Sequence, residues 1–322
     1  MNILITGAGG AAAVSVWKSL NEEHKLYMAD MDPCAAGLYL VPSDRRIIIP
    51  SGKSSQFIPH LLELCQKHSI ELVIPTVDAE LLPIAQHKEL FIKQGVKIPL
   101  SSVHTLTLCR DKYQLLQFCE DTGLTPAFQV VTEQTSVEGF EYPLFAKPRL
   151  GAGSTGVLVI NDEQAFHSLP KDGSYLLQEL LTGDEYSVDV YVHSNGCPIA
   201  IVPRLRMKVD SGVAVACQTQ HNPILSNHAV QIINKTGITY VANVQFKANA
   251  AGEFKLLEIN PRFPGTLPLT TAAGIDIPKL MINDLMGLPL GTTLLPFKEL
   301  MVVRYWTEQF IDVKEWSALC LT

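Results

Sequence analysis

EFKLLEINPRF, residues Glu253–Phe263, alternates apolar and polar side chains at the spacing of a β-strand. Successive strand side chains face opposite sides, so Glu258 and Asn260 share one face and Leu257 and Ile259 the other. Arg262 continues the polar parity if the backbone stays extended, which Pro261 favours for the residue before it. A carboxylate, a carboxamide and a guanidinium in line suit a hard divalent cation and the phosphates it carries. Upstream, ANVQF (Ala242–Phe246) folds back through the turn NAAG (Asn249–Gly252), which makes Gln245 a diagonal neighbour of Glu258 on the same face. Taken alone, the pattern equally fits a polar strand face turned to solvent.

A second informative stretch is LFAKPRLGAGSTGV (Leu144–Val157). Here Lys147 ends an apolar strand and is followed by Gly151, Gly153, Ser154, Thr155 and Gly156. Glycines let backbone approach a ligand and expose successive N–H groups, which suit phosphate oxygens. The segment is not a Walker loop, because no G-K-[ST] ends it. An ordinary glycine-rich hairpin with a solvated lysine is the alternative.

The chain opens differently. ITGAGGAAA (Ile5–Ala13) places Gly7, Gly9 and Ala12 in a G-x-G-x-x-G/A pattern, with Asp30 and Asp32 where a ribose acid would stand. Read alone, it suggests an NAD-dependent oxidoreductase. Strands at 2–6, 26–30, 46–50, 71–75 and 96–99 alternate with helical stretches, the pattern of a parallel Rossmann-like sheet. From Asp111 a helix (111–121) is followed mainly by strands, with a helix around 226–236, which is antiparallel α+β material. The 322 residues carry a formal net charge of −7, which argues against a general nucleic-acid surface. Seven scattered cysteines without metal spacing read as reduced thiols of a cytoplasmic protein. The first residues lack a basic n-region and are broken by glycines, so they do not read as a signal peptide. No run approaches the ~18 apolar residues of a membrane span.

ANVQFKANAAGEFKLLEINPRFPGTLPLTTAAG (242–274) resembles the metal-binding segment of the ATP-grasp superfamily, above all single-module proteins similar to the large subunit of carbamoyl phosphate synthetase. RDKY (110–113), FAKP (145–148) and LLQELLTGDEYSVDV (176–190) resemble further stations of that family, in order. The resemblance implies a mixed α/β and α+β chain: a Rossmann-like preATP-grasp domain (1–107), a small lobe with a glycine-rich lid (108–180) and a large lobe with the metal site (181–322). It implies ATP and magnesium (or manganese) as cofactors. Lys112 and Lys147 would contact phosphate, under a lid containing Gly151, Gly153, Ser154 and Thr155. Glu179 would meet the adenine amino group through its carbonyl, Leu181 the ring through its N–H, and Glu185 the ribose. Gln245, Glu258 and Asn260 would hold the metal, and Arg262 would stabilise the transferring phosphoryl group.

The activity so implied is that of an ADP-forming ligase. It activates a small-molecule carboxylate as an acyl phosphate and joins it to an amine or ammonia. A non-catalytic ATP-binding partner or sensor protein, and a carbamoyl-phosphate-synthetase-like kinase or ligase working with partner subunits, are the alternatives. One module leaves no room for the second that a complete synthetase large subunit has. The acceptor pocket is less legible. Arg204, Arg206 and Lys208 alternate on one strand and fit either a substrate anion or a solvated basic face. Asp78 and Glu80 follow a parallel strand's carboxyl end, where open α/β sheets bind ligands, although Asp78 also suits a helix N-cap. Thr266 is a further candidate contact, and Gly7 and Gly9 are expected to line the acceptor cleft rather than hold a dinucleotide. No membrane or nucleic-acid partner is expected, and the resemblance admits a homodimer.

Overall fold

The structure, a computed structural model, describes residues 1–151 and 155–320. The first sheet is parallel. Strands β1 (Asn2–Thr6), β2 (Lys25–Asp30), β3 (Arg46–Ile48) and β4 (Leu72–Ile74) lie in the order β3-β2-β1-β4. A parallel sheet is covered on both faces, and β1 shows how its apolar run serves both. Ile3 and Ile5 pack with Val16 of the helix Ala11–Leu20, while Leu4 packs with Phe57 and Leu61 of the helix Phe57–Lys67. The first of these cores continues into the second half of the chain through Tyr191, Val202 and Phe263.

Beyond residue 110 the sheets are antiparallel. Strands β5 (Phe128–Thr132), β6 (Leu144–Pro148), β7 (Leu158–Ile160) and β8 (Asp172–Glu179) form a four-stranded sheet, order β5-β8-β6-β7. Strands β9 (Glu185–Val192), β10 (Pro198–Asp210), β11 (Val213–Thr219), β12 (Tyr240–Ala248), β13 (Phe254–Asn260) and β14 (Met301–Val303) form a six-stranded one, order β13-β12-β9-β10-β11-β14. The expected helix at 111–121 is shorter, Lys112–Phe118, because Asp111 caps its start and the chain after it tightens into the 3₁₀ turn Glu120–Thr122. All seven cysteines are free thiols, and no helix among the described residues is long and apolar enough to cross a membrane.

One face of the six-stranded sheet is polar although much of it is buried. Asp189 is fully buried and accepts four hydrogen bonds: Arg204 Nε (2.8 Å) and Nη2 (2.6 Å), Asn243 Nδ2 (2.7 Å) and Thr270 Oγ1 (2.5 Å). Arg204 is therefore a structural partner, not the substrate contact or solvated cation that its alternation with Arg206 suggests. It lies on the same face as Arg206 but over the sheet interior, where only an ion pair makes its charge tolerable. Lys208 lies at register shifts in β10 and is exposed. Removing one member of a buried pair strands the other's charge. Arg204→Met is expected to destabilise the protein by about 3–5 kcal/mol in urea unfolding; a loss below about 1 kcal/mol, the scale of an exposed pair, would contradict this role.

The opening glycine loop is closed on itself. Gly10 N–H donates to Gly7 C=O (2.8 Å), Gly9 N–H to Asp30 Oδ2 (2.8 Å), and Gly37 N–H to Ala8 C=O (3.0 Å). Gly37 lies so near that a Cβ there would meet the Ala8 carbonyl oxygen at 2.3 Å. Gly7 and Gly9 line neither cavity described below: Gly7 is buried against Thr76 and Val77, and Gly9 is on the exposed side of the loop with its N–H on Asp30. Asp30 and Asp32 are spent on that loop and the next, Asp32 accepting from Cys34 N–H (2.8 Å). Glu80, expected at the acceptor site, instead turns inward, 6% exposed, and accepts from Thr6 Oγ1 beneath β1.

Burial pushes the Glu80 carboxyl up from 4.5 to about 7. The unfolded chain gives up this proton near pH 4.5 and the folded chain near 7, so this group's contribution to stability falls as pH rises through that window. Glu80→Gln should flatten the stability–pH curve there and gain on the order of 3 kcal/mol relative to the parent between pH 5 and 8. Parallel curves for variant and parent in denaturant titrations would show that Glu80 is not the titrating group.

Candidate functional site

The hairpin of β12 and β13 builds the floor of a cavity of about 220 Å³ between the two antiparallel sheets. Its register changes at one point. Gln245 lies opposite Glu258, but Phe246 lies opposite Leu256, so Leu257 is an additional residue on β13. This bulge, a device common beside functional sites, makes Gln245 and Glu258 direct rather than diagonal neighbours. It also brings Leu257 into the cavity lining, with its carbonyl accepting from Lys147 Nζ (3.2 Å). Asn260 Nδ2 donates to Glu258 Oε1 (3.1 Å), and Gln245 Nε2 to Asn243 Oδ1 (3.4 Å). Each amide uses its NH₂ within the sheet, which leaves its carbonyl oxygen as a hard donor beside the Glu258 carboxylate.

Two lysines face this floor. Lys147, at the end of β6, is 6% exposed, and burial lowers its ammonium from 10.5 to about 8, Glu258 opposing the shift. Lys112 donates to Gly151 C=O (2.7 Å) and stands 3.6 Å from Glu258 Oε2. Its position is fixed by Asp111, which caps the helix Lys112–Phe118 through Tyr113 N–H (3.0 Å) and Gln114 N–H (3.3 Å). The same carboxylate takes a two-pronged ion pair from Arg149 (2.6 and 3.2 Å), just beyond β6. Both lysines are thus tied to one end of the small sheet.

Gly151, Thr155, Leu181, Glu185, Arg206, Gln245, Glu258, Asn260 and Arg262 also line the cavity, while Gly153 and Ser154 lie outside the described residues. Glu185 is paired with Arg206 (2.8 Å), whose guanidinium also reaches Ser187 Oγ (3.3 Å) and Gly212 C=O (3.1 Å). Glu179 is not among the lining residues; its N–H and side chain both bond Ala127. Arg262 and Asp78, read from sequence as separate functions, form one two-pronged ion pair (2.8 and 2.8 Å) joining the first domain to the segment just beyond β13. Thr266 is buried at the start of the helix Leu267–Ala272 and lines neither cavity, because its turn packs inward.

The sequence reading missed Gln178. It is 1% exposed, lines the cavity, and its Oε1 has no hydrogen-bond partner among the described residues. A buried orphan acceptor is costly, and this one is suited to an amino group on a ligand. The signal lay in period-2 alternation, which sets Gln178 and Leu180 on one face of QEL, opposite to Glu179. A second cavity, of about 500 Å³, adjoins the first and shares Lys112, Leu150, Gly151, Glu258 and Asn260 with it. Among the described residues no group of three or more His, Cys, Asp or Glu side chains forms a metal cage.

Comparison with known proteins agrees with this architecture. Residues 171–309 match the family model "ATP-grasp in the biosynthetic pathway with Ter operon", and residues 3–99 match "PylC-like, N-terminal domain". A carbamoyl phosphate synthase large chain from Methanothermobacter thermautotrophicus is 24% identical over 302 residues, 85% of this chain and 28% of that one. A D-alanine–D-alanine ligase from Thermotoga sp. (strain RQ2) is 29% identical over 119 residues, 35% of this chain and 39% of the relative. The chain thus spans well under half the length of these relatives. A crystal structure of a biotin carboxylase–β-γ-ATP complex from Campylobacter jejuni superposes with TM-score 0.69 at 20% identity, covering 92% of this chain and 72% of that one. The chain thus carries a PylC-like N-terminal domain over residues 3–99 and an ATP-grasp domain over residues 171–309.

Proposed function

We propose that the protein is an ATP-dependent, ADP-forming ligase that activates a small-molecule carboxylate and passes it to an amine or ammonia. The observation that carries this reading is one cavity lined by Lys112 and Lys147, by the Glu258 carboxylate beside two amide oxygens, and by the buried acceptor of Gln178. That set fits magnesium nucleotide. Gln178 Oε1 suits the amino group of the base, and Glu185 suits the ribose hydroxyls. Lys112 and Lys147 suit the phosphates. Gln245, Glu258 and Asn260 would hold magnesium, whose charge, when bound, neutralises phosphate oxygens. One carboxylate with neutral oxygens is an incomplete cage, which suits a metal that shares its coordination with phosphates.

Phosphoryl transfer depends on positioning and charge neutralisation more than on covalent help from the protein. Lys147 and Lys112 fix the phosphate chain from the small sheet, and Glu258 and Asn260 fix the opposite side from β13. Arg262, oriented by Asp78 from the first domain, supplies a guanidinium at the junction where the carboxylate would be phosphorylated. Enclosure between the two antiparallel sheets would keep water from an acyl phosphate. A homodimer is compatible with this reading.

Arg262→Ala should keep Mg-ATP affinity but lower kcat by about 10²–10³. Glu258→Gln should weaken metal binding and abolish ADP release; full turnover by either variant would remove that residue from the site. AMP and pyrophosphate as products would exclude the acyl-phosphate route. Lys147 should set a pH dependence. Below pH 8 it is charged and affinity for Mg-ATP is full; above it, affinity should fall by up to about tenfold per pH unit. Calorimetry from pH 7 to 9.5 checks this, and Lys147→Met should lose the slope. A flat profile in the parent would contradict the assignment.

A further inference from the structure

The second cavity carries two cations that the reading above does not use. Lys53 and Arg110 line it, both are exposed, and among the described residues neither side chain makes a hydrogen bond or ion pair. Lys53 is held there by its turn. Ser54 N–H bonds Ser51 C=O (2.8 Å), and Gly52 sits so tightly on the helix Asp78–Gln86 that a Cβ would meet Ala79 O at 3.0 Å and Glu80 Cγ at 2.9 Å. Arg110 ends the helix Val103–Arg110, directly before the Asp111 cap that fixes Lys112. The two cations therefore stand on separate, anchored elements of the same cavity lining.

The same lining carries an apolar wall that includes Val77, Leu82, Leu106 and Ile259. The acids of this cavity are already matched: Asp78 by Arg262, and Glu258 by Lys112. The lining thus combines two unpaired cations and an apolar wall with a rim shared with the first cavity at Glu258 and Asn260. Charged groups left unpaired beside a cavity attract a complementary ligand group, and a second anion is what this arrangement lacks.

We propose that the second cavity binds the carboxylate substrate, and that this substrate is a dianion. One carboxylate reaches the Glu258–Asn260 rim, an aliphatic segment lies on the apolar wall, and a distal carboxylate or phosphate is bound by Lys53 and Arg110. This rests on the ligase reading. Both cations are exposed and, among the described residues, without partners, so replacing them should leave the fold intact.

The test is calorimetric titration of matched acids into protein saturated with Mg–AMPPNP: glutarate, adipate and suberate against butyrate, hexanoate and octanoate, with 6-phosphonohexanoate as the phosphate-like arm. The best dianion should bind at least about tenfold tighter than its monocarboxylate match, and the double variant Lys53→Ala/Arg110→Ala should lose that advantage. The phosphonate arm shows which distal anion is preferred. Monocarboxylates binding as tightly as dianions, a double variant that retains dianion affinity, or no binding of either class would overturn the proposal. ADP and hydroxamate formation with hydroxylamine is then measured on the same acids. Variant-sensitive dianion binding without turnover would sustain the pocket and dismiss the ligase reading.

Discussion

The buried carboxylate of Asp189 is the constraint around which the larger half of the molecule is arranged. An unpaired charge at 0% exposure would be ruinous, so four donors from three other elements converge on it. Arg204 ties β9 to β10, Asn243 ties β9 to β12, and Thr270 ties the sheet to the helix Leu267–Ala272. Asn243 then passes the order on, because its Oδ1 is the acceptor for Gln245 Nε2 at the cavity floor. The oxygens proposed to meet a metal are thus oriented by a network anchored away from solvent.

The bulge at Leu257 converts this rigid face into a site. It brings Gln245 opposite Glu258 and presents a backbone carbonyl to Lys147. Three bodies meet there. The small sheet contributes Lys147 and, through Arg149 and Asp111, the position of Lys112. The large sheet contributes the hairpin, and the first domain contributes Asp78 to Arg262. Each is a charge-assisted contact between elements distant in sequence, as expected for a ligand enclosed between lobes rather than held on one surface.

The alternation in EFKLLEIN was enough to place Glu258 and Asn260 on one face, and the apolar runs at 2–6 and 71–75 sufficed for a parallel sheet. Register was not readable, because a bulge is one extra residue without a compositional mark; Leu257 looks like any inward leucine. Nor were the fates of Arg204 and Glu80. Parity gives the face of a strand or helix but not whether that part of the face is covered, and both proved buried under neighbouring elements. Asp78 and Arg262 are 184 positions apart, so their pairing belongs to the tertiary fold. Gly7 and Gly9 carried a phosphate-loop pattern, yet the Gly9 N–H is taken by Asp30 and the Gly10 N–H by the Gly7 carbonyl, donors a phosphate would need.

The central claim is that one cavity gathers metal, phosphates and base on these residues. A crystal structure of the protein with Mg–AMPPNP tests it most directly. Magnesium about 2.0–2.1 Å from oxygens of Glu258 and Asn260, phosphates between Lys112 and Lys147, and the base amino group on Gln178 are the expected arrangement. Nucleotide bound instead at the Gly7–Gly10 loop, or a metal that touches neither Glu258 nor Asn260, would contradict it.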